Sequence, residues 1–388
     1  MVRVVHRFVD GLPRRVRRGH SGLMTTSPAA PAPPTTTPTT APEPQLSFTE
    51  PGELIAAVPH LLGFTPSDSI VLITLTGPDL TMIGATLRAD LPPPDQVPAM
   101  ARRLLVPVLR HDTTATVLMV VGGALQDESG PPHRDLVDAV ADELAEGGVA
   151  VAWALWVAAI EDGAPWRSYG EEQGGGVVPD PSASGMAHLA TASGIVTYPS
   201  RDELAATVAP DPPVLLAERA EAVDAHAADA AGDVESEARG VRLMRDTVRR
   251  AALDVGRGPL ELDEDTVVRL AVALSYPRVR DVCLRLAGQP EPIAAERVWA
   301  ALTRAIPPPW CSEAALLLAI TAYLRGDGAL AGMAVDRALE ADEAHPLAGL
   351  VRWALNLSMR PDQLRRLVER SYALAERSDA ATTPDGSG

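Results

Sequence analysis

The sequence predicts two parts. An α/β N-terminal domain, a mixed sheet with helices, spans 46–170, and an all-α C-terminal domain with a tetratricopeptide-like helical hairpin spans 200–377. Two observations carry this reading. Between Ser69 and Tyr169, short runs that are apolar on both faces alternate with amphipathic helical stretches. From Ser200 onward almost every segment repeats its apolar residues at helical spacing. Residues 171–199, with "EEQGGGVVPDPSASGMA" at their start, read as a flexible loop between the two parts.

The first helix precedes the sheet. Thr49 can cap it with Glu50 and Pro51 in the first turn, and Gly63 can end it. Pro59 interrupts the run. An interior proline forfeits a helical hydrogen bond and costs roughly 3 kcal/mol. The expectation is therefore that the helix stops near Val58 and restarts with Pro59 in a first turn, leaving His60 at a helix start. "SIVLITLT" (69–76) then reads as a central strand, and "GPD" turns into "TMIGATLRAD" (81–90) to make a hairpin. "DQVPAMARRLLVPVLRH" (95–111) is a helix and "TATVLMVVGG" (114–123) a buried strand. "HRDLVDAVADELAEGG" (133–148) is an amphipathic helix, and "VAVAWALWVAAI" (149–160) the next strand, on which "PWRSY" (165–169) folds back. Strand, helix, strand, helix, strand implies parallel pairing through right-handed crossovers, beside an antiparallel hairpin at the edge.

The helical part opens with "SRDE" (200–203), a capping box, and "PPVLLAERAEAVDAHAADA" begins a pair of long helices. Glu261, Asp263, Glu264 and Asp265 resemble a metal cluster at first sight, but they stand before "TVVRLAVAL" and read as helix capping and dipole duty. "AALLLAITAYLRGDGALAGMAVDRALEADEAHP" resembles one tetratricopeptide unit, with Ala319, Ala331 and Ala338 at its small-residue positions. "LAGLVRWALNLSM" then loses the pattern. A single unit cannot stack into a solenoid, so it reads as a helical hairpin packed on its neighbours, through which a protein partner could bind. Residues 378–388 read as a disordered tail.

Composition excludes several chemistries. All 34 basic residues are arginine, and Asn356 is the only asparagine. Without lysine there is no P-loop phosphate ligand, no pyridoxal Schiff base and no protein-kinase lysine. The bias is that of a GC-rich genome. A net charge of −17 argues against a general nucleic-acid binder, which must neutralise phosphates. The first 23 residues carry six arginines and one aspartate, a surplus of five, so the remainder stands at −22. That start resembles a signal n-region, yet it runs into the Pro/Thr tract "SPAAPAPPTTTPTTAPEP" with no apolar h-region. Such a tract buries no core. Residues 1–45 are therefore expected to form a disordered tail, with Met24 preferred to Met1 as the natural start and a basic partner- or membrane-touching tail as the alternative. No run approaches the ~18–20 apolar residues of a membrane helix. Cys283 and Cys311 form neither a CxxC pair nor a metal set with the histidines, which fits a reducing cytoplasm.

The candidate ligand-binding residues are His60, Arg88 and Asp90. His60 is placed by the break at Pro59, although one histidine with no visible acid or base partner more simply marks a kink. Arg88 and Asp90 share one face of a strand end, either as an ion pair or as the lining of a crevice of the kind ligands use in α/β sheets. Gly122 and Gly123 end another strand, but "GGALQDESGPPH" has no GxGxxG and reads as a loop. No catalytic residue, metal set or cofactor is assigned: H-E-x-x-H, a G-x-S-x-G elbow and Cys/His ligand spacing are all lacking.

Together "PGELIAAVPHLLGFTPSDSIVLI" (51–73), "LRADLP" (87–92), "PRVRD" (277–281) and "LRGDGALAGMAVDRALEAD" (324–342) resemble the actinobacterial family called domain of unknown function 4192, over roughly residues 46–375. Gly63, Phe64, Ser69, Arg88, Asp90, Arg280, Asp281 and Asp327 match its motifs. The resemblance implies no catalytic motif. Two functional readings follow: a cytoplasmic, non-enzymatic binding or regulatory module, or an enzyme or small anionic-ligand binder with a cleft near Arg88 and Asp90. Deleting residues 1–45 is expected to leave the melting temperature within a few degrees, because neither the Arg-rich start nor the Pro/Thr tract builds a core. A larger fall in a thermal melt would contradict this.

Overall fold

The computed structural model describes residues 50–368 apart from breaks at 78–81, 112, 126–129, 171–173, 232, 234, 254–257 and 288–291, and before them only Arg3–Val4, Gln45–Leu46 and Phe48. The Thr49 cap, the residues after Gly77 in the "GPD" turn, most of the tail at 1–45 and all of that at 378–388 lie outside the described residues. The chain divides into two compact units, Met1–Val58 with Ser67–Met186, and Pro59–Pro66 with Ala187–Gly388.

Helix α1 (Pro51–Leu62) corrects the expected break, since it runs through Pro59 without interruption. Pro59 stands in the last turn and a half, so only one backbone bond is forfeited. Leu54, Ile55, Ala56, Ala57 and Val58 are all buried, and burial round the whole helix outweighs that loss. Gly63 follows at φ +81°, the left-handed conformation expected of a residue just past a helix end.

The α/β unit is a mixed sheet of six strands: β1 (Ser69–Thr76), β2 (Met82–Asp90), β3 (Ala115–Val121), β4 (Ala150–Val157), β5 (Pro165–Ser168) and β6 (Gly175–Val177). Their spatial order is β2-β1-β3-β4-β5-β6, and Arg3–Val4 and Gln45–Leu46 add two-residue pairings outside β2. Among these six strands β3 and β4 pair parallel, and β1 is antiparallel to both β2 and β3; Arg3–Val4 and Gln45–Leu46 also pair parallel. The antiparallel hairpin thus lies at one side of the six-stranded sheet, as expected, with β2 outermost and β1 set between β2 and β3. Ile70 to Ile73 have no exposed surface, and a strand apolar on both faces needs a neighbour on each side. Helices α2 (Val97–Leu109) and α3 (Arg134–Glu146) cover one face of the sheet. Val97, Ala101, Leu104 and Val108 of α2, and Leu136, Val137, Val140 and Leu144 of α3, join Ile70, Leu72, Leu118, Val120 and Trp156 in one core.

Where a flexible loop is expected at 171–199, the described residues hold β6, a turn of 3-10 helix at Pro181–Ala183 and α4 (Gly185–Ala192). Gly52 explains how β6 is covered: a Cβ there would lie 3.0 Å from the Val177 carbonyl and 3.2 Å from Trp166 Nε1. The α1 start is pressed onto β5 and β6, and only a glycine allows that approach.

The second unit is helical: α5 (Arg201–Ala206), α6 (Pro213–Ala230), α7 (Ser236–Leu253), α8 (Glu264–Ala273), α9 (Pro277–Ala287), α10 (Pro292–Ala305), α11 (Cys311–Arg325), α12 (Gly328–Ala341) and α13 (Pro346–Asn356), with further helix at 361–368. Ser200 caps α5 by accepting from Glu203 N at 3.1 Å, as "SRDE" implies. Helix α11 is buried along nearly its whole length, so it forms the axis of this unit. Gly326, at φ +100°, ends it and lets α12 pack back as a hairpin.

Candidate functional site

Arg88 and Asp90 lie at the end of β2, where Ser69 pairs with both Asp90 and Val121. The ends of β2 and β3 therefore meet at the start of β1. Arg88 pairs with Asp90 at 2.6 Å, and its Nε donates to Ser69 Oγ at 2.8 Å. Ser69 Oγ in turn donates to the Ser67 carbonyl at 2.5 Å. The Arg88 side chain is 15% exposed and that of Asp90 81%, so water screens one partner almost fully. Beside them Gly122 takes φ +107°, and a Cβ there would lie 2.7 Å from Asp68 Oδ1. Trp156 Nε1 donates to the Gly122 carbonyl at 2.8 Å. The Gly122–Gly123 pair serves this close approach.

His60 belongs to the helical unit, whereas Arg88 and Asp90 belong to the α/β unit. Its Nδ1 is 2.8 Å from Thr197 Oγ1. One residue on, Tyr198 N donates to the Gly63 carbonyl and accepts from Thr65 N through its own carbonyl, both at 2.9 Å. A Cβ on Gly63 would sit 3.0 Å from Asp327 Oδ2. The segment after Pro59 is thus laid along 197–198 and against a buried carboxylate.

That carboxylate belongs to a charge network. Arg325 Nε and Nη2 grip both oxygens of Glu296 at 2.9 and 3.0 Å, and Nη2 also donates to Asp327 Oδ2 at 3.0 Å. Asp327 Oδ1 meanwhile caps α12 by accepting from Leu330 N at 2.9 Å. Two carboxylates share one guanidinium. Burial pushes the Glu296 carboxyl above its usual range, against the pull of Arg325, and the Asp327 charge pushes it the same way as burial. The Tyr198 phenol is raised as well, by burial and by Glu296 and Asp327.

A second buried glutamate behaves oppositely. Arg280 Nη1 donates to Glu313 Oε1, and His345 Nε2 lies 3.4 Å from the same oxygen. His345 Nδ1 accepts from Ala348 N and so caps α13. Burial alone would raise Glu313, but the His345 hydrogen bond and the Arg280 charge outweigh it and hold the carboxyl below its ordinary value.

A third network is the most complete. Buried Arg219 donates from Nε and Nη2 to Glu264 at 2.7 Å each, and from Nη1 to Asp211 at 2.6 Å and the Ala305 carbonyl at 2.9 Å. Asp263 caps α8, accepting from Thr266 N at 2.9 Å, as its place in the sequence implies. Glu264 does more than complement the helix dipole, because it anchors α6.

A cavity of about 140 Å³ opens between α6, α7 and α8, over Leu243 and Val272, with His226, Arg239, Arg269 and Tyr276 on its rim. Its arginines are held by Asp233, Glu235 and Asp265. Ser236 Oγ accepts from Arg239, an engagement that does not activate a hydroxyl. Among the described residues no three His, Cys, Asp or Glu side chains converge as a metal site would require.

The family profile of Domain of unknown function (DUF4192) matches residues 51–362, and the chain belongs to that family. No curated protein and no solved structure matches it. Of the residues singled out by resemblance, Gly63 lies against Asp327, and Ser69 lies with Arg88 and Asp90. Arg280 meets Glu313. Sequence reasoning missed Glu296, Tyr198, Glu313 and Arg219, whose partners are remote in the chain and which carry no local motif.

Because Asp90 is solvated, Asp90→Ala should cost about 0–1 kcal/mol. Arg88→Ala should cost about 1 kcal/mol more, since Ser69 also loses a donor. A double-mutant cycle by chemical denaturation should give a coupling below about 1 kcal/mol. A loss of about 3–5 kcal/mol in Arg88→Ala would instead mean that a buried charge had been stranded.

The two glutamates predict opposite pH limbs. Glu296 is raised above 4.5 in the folded state, so its contribution is present below that value and is lost as pH rises through the folded pKa. Glu313 is lowered below 4.5, so its contribution is present above that value and is lost as pH falls through the folded pKa. Denaturation midpoints followed from about pH 3 to about pH 8 should flatten on the upper limb in Glu296→Gln and on the acid limb in Glu313→Gln. Parallel profiles in all three proteins would refute both assignments.

Proposed function

We propose that this protein is a non-enzymatic binding or regulatory module of the cytoplasm that takes a protein partner on its C-terminal helices. Trp353 carries the reading. It stands 52% exposed on α13, while Trp156, Trp166 and Trp299 are buried. Gly349 and Asn356, about one turn to either side, are exposed with it. An open indole offers a large apolar area with a polar N–H, the chemistry of interface hot spots. The α11–α12 hairpin supports the tetratricopeptide likeness, since Ala319, Ala331 and Ala338 are all fully buried. The thiols support a binding role over nucleophilic catalysis: burial pushes both Cys283 and Cys311 up, away from the reactive thiolate. Both are free, in keeping with a reducing compartment. Affinity capture from the native host should retain a partner on the wild type and lose it on Trp353→Ala, at unchanged melting temperature. Equal recovery on both would overturn the reading.

A second reading places a small anionic ligand beside Arg88 and Asp90. The observation that favours it is their position where β2 and β3 end, next to Gly122 and Gly123 at positive φ. A thermal-shift screen of nucleotides and other anionic metabolites tests it: stabilisation that disappears in Arg88→Ala supports this site, and its survival there removes Arg88 from any role. His60, the third candidate residue, is bonded to Thr197 in the other unit.

A further inference from the structure

We infer that the outer face of α2 and α3 is a self-complementary surface on which a second copy of this chain docks. The outward stripe of α2 and the turn that follows it expose Arg102, Arg103, Val106, Leu109 and Arg110, and α2 has no acidic residue. Val106 and Leu109 are each 50% exposed, a large apolar area for a helix whose opposite side already fills the core. The neighbouring helix α3 exposes Asp135, Asp138, Asp142 and Glu146 along one stripe. Basic and acidic stripes thus lie side by side. Among the described residues no ion pair joins Arg102, Arg103 or Arg110 to α3, so the opposed charges are not consumed within one copy.

The occupant follows from symmetry. Strands β2, β3 and β4 run in one direction, so α2 and α3, each leading from one of them to the next, also run alongside each other. A two-fold axis lying along the helices, between them, sets α2 of one copy on α3 of the other and the reverse. An axis across the helices would set basic on basic and acidic on acidic. The register also suits the first arrangement. A Cβ on Gly147, just past α3, would lie 2.8 Å from Leu105 and 3.3 Å from Leu109, so the ends of the two helices are level. Arg102 and Arg103 then stand level with the turn from Asp138 to Asp142, and Arg110 with Glu146. Val106 and Leu109 lie along α2 between Arg103 and Arg110 and would be covered by the α3 of the second copy. Each helix is about 20 Å long and the pair about 20 Å wide, a footprint of about 400 Å². That is below the ~800 Å² per partner of a stable complex, so the dimer is weak, reversible and sensitive to salt.

Sedimentation of the full chain over a concentration series tests this. The wild type should self-associate, and its dissociation constant should weaken about tenfold between low and high salt. Arg102→Glu/Arg103→Glu and Asp138→Arg/Asp142→Arg should each be monomeric, with circular dichroism showing that both fold. An equimolar mixture of the two should recover a dimer, because it restores one opposed pair and keeps the other. A wild type that stays monomeric throughout the series overturns the proposal. So does association that is indifferent to salt, or a mixture of folded variants that fails to recover. If either variant does not fold, the wild-type salt series alone decides.

Discussion

A guanidinium taken out of water keeps five N–H donors and a full charge, and leaving either unmet is expensive. This chain has no lysine, so every long cation it buries has that forked, demanding geometry. In the helical unit Arg219 and Arg325 meet it most fully, whereas the buried Nε of Arg280 has no partner among the described residues. Arg219 joins α6 to the first turn of α8, to Asp211 and to the end of α10. Arg325, at the end of α11, joins α10 to the residue that caps α12. Arg280 joins α9 to α11 through a carboxylate that also faces the cap of α13. The forks of Arg219 and Arg325, and the single bond of Arg280, fix the relative placement of elements that apolar packing alone leaves free to slide.

The same networks explain the first stretch of family motif. Past Pro59 the chain completes α1 at Leu62, turns at Gly63 and lies along Thr197 and Tyr198 in the helical unit. Gly63 is needed twice, once for its left-handed backbone and once because a side chain there would press on Asp327. The aspartate is itself held by Arg325 and by the α12 backbone. Glycine and aspartate, far apart in sequence, therefore form a single contact. Glu296 completes the set. With two acids to one base in a dry site, its proton affinity rises above that of an ordinary carboxylate.

In the α/β unit the governing demand is the burial of β1 on both faces. A hairpin whose inner strand cannot tolerate solvent must open so that β3 lies against that strand, leaving β2 outside. Helices α2 and α3 then cover the same face. Their solvent sides become one surface, on which the basic residues of α2 adjoin the acidic ones of α3.

The sequence by itself determined what is local. Apolar periodicity marked the strands from Ser69 to Tyr169 and the helices after Ser200, and the caps at Ser200 and Asp263 and the stop at Gly63 were legible because each depends on residues within one turn. The Arg88–Asp90 pair was legible for the same reason, since two residues on one strand share a face. The tertiary structure decided whatever depends on partners remote in the chain. The energy of an interior proline argued for a break in α1, but the burial surrounding that helix, invisible to a local rule, carried it through. The order of strands turned on which of them could bear solvent, not on their succession. Glu296, Tyr198, Glu313 and Arg219 look like ordinary surface residues of amphipathic helices or loops when read in line. Only folding brings their partners within 3 Å or so and removes the water, and it is the loss of water that gives those charges their consequence.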